Sequence, residues 1–122
     1  MPRQILDETR LHPAIRDKVA NLHADIVHNV QAAAASHAVL AVGMAGNPHC
    51  RRVRAALTAA DIAHRYLEYG SYLSQWRLRN ALKMWTGWPT FPMVFVKGTL
   101  VGGASDVQRL IDSGELKRLL GE

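Results

Sequence analysis

The stretch W-P-T-F-P-M-V-F-V-K-G-T-L-V-G-G, Trp88 to Gly103, decides how the rest of the chain folds. Met93 to Val96 is an apolar run of strand length with β-branched and aromatic content, and Lys97-Gly98 follows it as a turn pair. Thr99-Leu100-Val101 then returns as a second strand, so the block reads as a β-hairpin. Gly102-Gly103 breaks that strand ahead of a helix. Pro92 has no backbone N–H to donate and stands just before the first strand, where none is needed. A cis Phe91–Pro92 bond is one way to turn the chain so sharply at that point. The helix that starts after Gly103 has free backbone N–H groups, a ready site for a carboxylate.

Upstream of this block, about Leu73 to Trp85 reads as a helix carrying Trp76, Leu78, Leu82 and Trp85 among Arg77, Arg79 and Lys83, stopped by Thr86-Gly87. His64 to Tyr69 alternates in the manner of a strand, and Ala38 to Met44 is a buried strand, the first central one. Between them Asn47 and Pro48 are a competent N-cap and first helical residue for a helix through Val53, Leu57 and Ala60, with its arginines outward. Residues 1–12 have no clear period. From Pro13, the residues Ile15, Val19, Leu22, Ile26, Val30 and Ala33 recur at steps of four and three, which predicts one long helix to about Ala35, packed on its own sheet. Downstream, Ala104 to Ser113 is a helix with Val107, Leu110 and Ile111 inward. Gly114 interrupts it before a short last helix, Glu115 to Leu120. A strand–helix–strand half followed by a hairpin and a terminal helix makes a mixed sheet covered on both faces, the thioredoxin-like α/β architecture. Residues 1–36 are expected to be a helical extension packing on a domain of residues 37–122.

With 122 residues, 48% apolar and 20% charged, the chain suits one soluble globular domain. Cys50 is the only cysteine, so no disulfide forms within the chain. No apolar run approaches the roughly 18 residues of a membrane span. The first ten residues, M-P-R-Q-I-L-D-E-T-R, lack the apolar core of a secretory signal, so a reducing cytoplasm is the expected compartment and no membrane partner is expected. The net charge of +5 is spread over predicted helices as solvated faces. No zinc-finger spacing or RNA-recognition aromatic motif accompanies it, so a small anionic ligand is expected rather than nucleic acid. Nor does any His/Cys/Asp/Glu cluster have the spacing of a zinc site.

The T-F-P before a strand, followed by V-K-G-x-x-V-G-G before a helix, resembles the C-terminal half of a glutaredoxin. With the preceding G-W-P it is most similar to the monothiol branch, and the resemblance runs from about Val39 to Leu120. It implies a glutaredoxin fold with a four-stranded mixed sheet flanked by helices, and glutathione as the ligand. In that family a reactive cysteine opens the helix after the first central strand. Asn47-Pro48-His49-Cys50 aligns without gaps to the dithiol pattern C-P-Y-C, so Asn47 occupies the nucleophile position and Cys50 the resolving one. The monothiol pattern C-G-F-S also places its cysteine at Asn47. Cys50 is therefore the one candidate catalytic thiol, and two readings of it stand. A remodelled loop brings it to the ligand, with Arg51, Arg52 and the helix start favouring thiolate and His49 accepting the proton; or it is a half-buried small residue one turn inside the helix.

The resemblance also implies a glutathione site. The Phe91 backbone, held by Pro92, would pair with the cysteinyl part of the tripeptide like an added strand. The γ-glutamyl carboxylate would rest on the N–H groups of Ala104, Ser105 and Asp106, with the Ser105 hydroxyl or Asp106 meeting the ammonium group. Ser105 stands at the aspartate of the monothiol G-G-C-D, while Asp106 follows the dithiol G-G-x-S-D. Arg79, with Lys83 one turn along, would meet the glycine carboxylate. The family's lysine after the first strand is replaced by Met44 or Ala45. Three functions follow. One is a glutathione-dependent thiol–disulfide oxidoreductase acting through Cys50. Another is a [2Fe–2S] carrier, a homodimer holding the cluster with Cys50 of each copy and two glutathiones. The third is a non-catalytic binding module. The partners implied are glutathione and a glutathionylated or iron–sulfur client protein.

Overall fold

Alternation along β1 (Val39–Gly43) sets the two faces of the sheet. In the computed structural model, which describes residues 3–121, Leu40 and Val42 belong to one buried cluster and Val39 and Ala41 to the other. A period of two is what a strand covered on both sides requires. Beside β1 lies β2 (Arg65–Glu68), parallel; on its other side lies β3 (Met93–Val96), antiparallel, followed by β4 (Thr99–Gly102) at the edge. The sheet order is β2-β1-β3-β4.

Among the described residues the α-helices are α1 (Pro13–Asn21), α2 (Ala24–Ser36), α3 (Pro48–Ala59), α4 (Trp76–Thr86), α5 (Ala104–Asp112) and α6 (Glu115–Leu119), and α2 to α6 cover the sheet. On the first face Ile26, Val30 and Ala34 of α2 and Ala81 and Leu82 of α4 pack with Leu40, Val42, Met93 and Phe95. Trp85 stacks on Phe95 there, with ring centroids 6.0 Å apart. On the second face Val53 and Leu57 of α3, Val107 of α5 and Leu116 of α6 pack with Val39, Ala41, Val94 and Val96. Each such aliphatic side chain taken wholly out of water stabilises the fold by about 1.5–3 kcal/mol. This is the thioredoxin-like α/β fold that the element order predicts.

The hairpin forms as read. Lys97 and Gly98 both have positive φ, 50° and 80°, the conformation whose twist matches that of the flanking strands. The Phe91–Pro92 bond is cis. At Gly102, φ is 122°, and a side chain there would sit 2.5 Å from Asp106 Oδ2, so only glycine lets α5 start this close to the sheet.

Two elements differ from expectation. The single helix predicted from Pro13 to Ala35 is α1 and α2, divided at Leu22 and His23, where His23 is left-handed with φ 48°. The Asn21 side chain donates to Asp17 O at 2.9 Å at the end of α1, competing with helix continuation. In consequence α1 buries nothing, and Val19 and Leu22 are 51% and 50% exposed. α4 starts at Trp76 rather than Leu73, because Ser71 and Ser74 close a turn on each other: Ser74 Oγ accepts from Ser71 N at 3.0 Å. Among the described residues no helix is long and apolar enough to cross a membrane.

Candidate functional site

A cleft of about 240 Å³ opens where the hairpin meets α5. Trp88, Thr90, Phe91 and Pro92 form one wall, Gly103 to Asp106 a second, and His49 and Arg52 of α3 the third. Asp106 Oδ2 accepts from Gly103 N at 3.0 Å and so caps α5, while the amides of Ala104, Ser105 and Asp106 find no acceptor within the described residues. Such amides carry the positive end of the helix dipole. Arg52 Nη2 donates to Ser105 Oγ at 3.2 Å, setting a guanidinium beside the same helix tip. The Trp88 indole N–H, also at this cleft, is buried with no acceptor among the described residues. A donor in that state favours a ligand that brings an acceptor.

At the tip of α3 the geometry is of another kind. Asn47 is buried, and its Oδ1 accepts from His49 N at 2.8 Å and Cys50 N at 3.2 Å. The position that holds the nucleophile in the family pattern is thus a helix cap that occupies the tip amides itself. Cys50 is 1% exposed and belongs to the core on the α2–α4 side of the sheet; it does not line the cleft, although its neighbours His49 and Arg52 do. Its sulfur lies behind Gly43 and Tyr66. Burial pushes the Cys50 thiol up, and the polar Met44 backbone and Tyr66 hydroxyl beside it oppose this only in part. Cys50 is a neutral core thiol.

Arg79 is also away from the cleft. It is 6% exposed, and its Nη1 donates to Tyr69 O at 2.9 Å and Ser74 O at 2.5 Å, pinning the loop between β2 and α4. Met44 is buried and Ala45 N donates to Gly70 O, and neither side chain carries a charge. Lys83 Nζ stands 5.9 Å from the Phe91 ring centroid, within cation–π reach. Of the residues singled out from the sequence, the fold therefore brings together Phe91, Pro92, Ala104, Ser105 and Asp106, and keeps Cys50 and Arg79 apart from them. Arg52 and His49, read from the sequence as neighbours of a Cys50 thiolate, join the cleft without Cys50, and Trp88 joins it without having been read as a site residue. Their signal was present: His49 and Arg52 are spaced i, i+3 on one helix face.

A [2Fe–2S] cluster needs thiolate donors at the helix tips. Asn47 stands at that tip and the Cys50 sulfur is in the core, so these residues do not fit the cluster. Among the described residues no group of three His, Cys, Asp or Glu side chains could hold a metal ion.

The glutaredoxin family model matches residues 44–101. Over 114 residues the chain is 41% identical to a glutaredoxin-like protein of Dictyostelium discoideum, covering 93% of this chain and 91% of that one. This chain belongs to the glutaredoxin family. It is also 32% identical over 82 residues to monothiol glutaredoxin-S4, mitochondrial, of Oryza sativa subsp. japonica, covering 65% of this chain and 44% of the relative. The solution structure of reduced glutaredoxin C1 from Populus tremula x tremuloides superposes on it with a TM-score of 0.73 at 28% identity, over 84% of this chain and 88% of that one. As a glutaredoxin it keeps the sheet, the hairpin and the open tip of α5. None of the residues lining its cleft carries sulfur.

Proposed function

We propose that this glutaredoxin is a binding module that seats glutathione, free or attached to a protein thiol, without exchanging disulfides itself. The placement of sulfur carries the reading: Cys50 is enclosed behind Gly43 and Tyr66, and Asn47 occupies the tip from which a thiolate would attack. Disulfide exchange requires a thiolate with access to the disulfide sulfur. The cleft, by contrast, suits the tripeptide. The amides of Ala104, Ser105 and Asp106, with Arg52 beside them, favour a carboxylate, and the Phe91 backbone offers an edge for strand-like pairing. The unpartnered Trp88 N–H favours a ligand carbonyl.

Calorimetry with reduced glutathione tests binding, and turnover of a glutathione mixed disulfide tests exchange. Binding at millimolar or tighter affinity is expected, with turnover at the uncatalysed level in the wild type and in Cys50→Ser alike. Asn47→Cys is expected to raise turnover by at least about tenfold, the change that a reactive thiolate at a helix tip brings. Wild-type turnover equal to that of Asn47→Cys and abolished by Cys50→Ser would sink this reading.

A further inference from the structure

The helix that borders the cleft carries His49, Arg51, Arg52 and Arg54 and no acidic residue. At about 100° per residue, the buried Cys50, Val53 and Leu57 mark its inward face, and Arg52, Arg51 and Arg54 succeed one another around the outward one. Arg52 stands at the cleft. Arg51 and Arg54, with Thr58 and His64, line a shallow depression of about 250 Å³ beyond it. Arg54 closes the far side, its guanidinium 4.1 Å above the Tyr66 ring. Exposed Arg65 on the edge strand β2 adds another charge. The ion pairs among the described residues are Arg109–Asp106 and Arg118–Glu115, so none of these arginines is matched by a carboxylate. The nearby carboxylate, Glu68, accepts from the Tyr66 hydroxyl instead. Like charges three apart on one helix repel, and no ion pair among the described residues offsets it.

Resting on the reading of the cleft as a glutathione site, we propose that the partner is an acidic protein segment bearing glutathione on one of its cysteines. The tripeptide occupies the cleft, and carboxylates flanking the modified cysteine lie along Arg52, Arg51 and Arg54. The track winds over roughly 160° of a twelve-residue helix and ends at a cleft of tripeptide size. Arg54 covers a face of Tyr66, the aromatic ring beside it, and so competes with base stacking, which favours protein over single-stranded nucleic acid. Complementary charge of this kind speeds encounter and selects among partners, and it weakens with salt.

The test uses the full chain and two synthetic peptides with the same central glutathionylated cysteine, one flanked by glutamates and one by lysines, titrated by calorimetry. The acidic peptide is expected to bind about tenfold tighter at low salt, with the advantage falling below about threefold at 0.5 M KCl. In the Arg51→Gln/Arg54→Gln variant the advantage is expected to fall in the same way, while free glutathione binds as in the wild type. Equal affinity for the two peptides, or an acidic preference that survives the double substitution, overturns the proposal and leaves the cleft reading standing. Failure of glutathione and both peptides to bind at millimolar concentration removes the cleft reading and the track with it. Tighter binding of a single-stranded RNA oligonucleotide than of the acidic peptide, lost in the double variant, overturns the protein partner and assigns the track to nucleic acid.

Discussion

A side chain at Gly43 would land 2.7 Å from both the Cys50 sulfur and the Tyr66 hydroxyl oxygen. The neighbours there are a core thiol and a ring pinned beneath Arg54, so neither yields freely. Gly43→Ala is expected to cost about 1–3 kcal/mol, read as a lowered midpoint in denaturant at unchanged slope. Arg79 poses the opposite question, because its resemblance to a ligand-binding arginine and its observed contacts point to different outcomes. Arg79→Met keeps the bulk but strips the donors from Tyr69 O and Ser74 O. Stability is expected to fall by about 1.5–3 kcal/mol with glutathione affinity changed less than about twofold; a tenfold loss of affinity at an unchanged melting temperature would return Arg79 to the ligand. These two residues show what a sequence withholds. Phe91, Pro92 and Ala104 to Asp106 could be read because proline and glycine dictate the backbone there and the backbone makes the site. Where the Cys50 sulfur or the Arg79 guanidinium points depends on which neighbours surround it, and those come from Gly43 and Tyr66, or from the loop at Tyr69 and Ser74, through tertiary packing.

At the scale of elements, periodicity identified the strands and most helices, since a face buried against a sheet has to repeat with the sheet's or the helix's own period. It could not locate the break between α1 and α2. The apolar stripe runs unbroken from Ile15 to Ala33 in the sequence, yet the left-handed His23 divides it in space. Periodicity reports that a face exists and is silent on whether anything covers it. Val30, 1% exposed in α2, and Val19, half exposed in α1, carry the same sequence signal and different weight. Removing residues 1–21 is therefore expected to move the melting temperature by less than about 4 °C, whereas Val30→Ala is expected to cost about 1–3 kcal/mol. Circular dichroism melts distinguish the two. A large destabilisation on truncation would mean that α1 shields the sheet in solution.

For the whole molecule, alkali is the informative direction. Burial raises the Cys50 thiol above its ordinary 9.0 and, with the nearby Cys50 and Glu68 charges, raises the Tyr66 phenol above its ordinary 10.0. Burial raises Tyr69 likewise. A group whose folded value is raised holds its proton in the fold after the unfolded chain has released it. Its contribution is thus intact below the unfolded value and lost as pH climbs toward the folded one. The melting temperature is expected to decline from about pH 9 upward, and more steeply once phenols titrate. Tyr66→Phe is expected to flatten the steeper limb, and calorimetric scans at stepped pH check it; identical slopes in the two proteins would count against the phenol.

The strand order has a colloidal consequence. β2 and β4 are the rims of an open sheet, and an uncapped rim is a template on which further chains can stack into fibres. β2 is four residues long, begins at Arg65 and ends at Glu68, both exposed, while β4 is equally short and its pairing shifts register beside Gly102. Brevity and charge on one rim, and a register shift on the other, make each a poor template for such stacking.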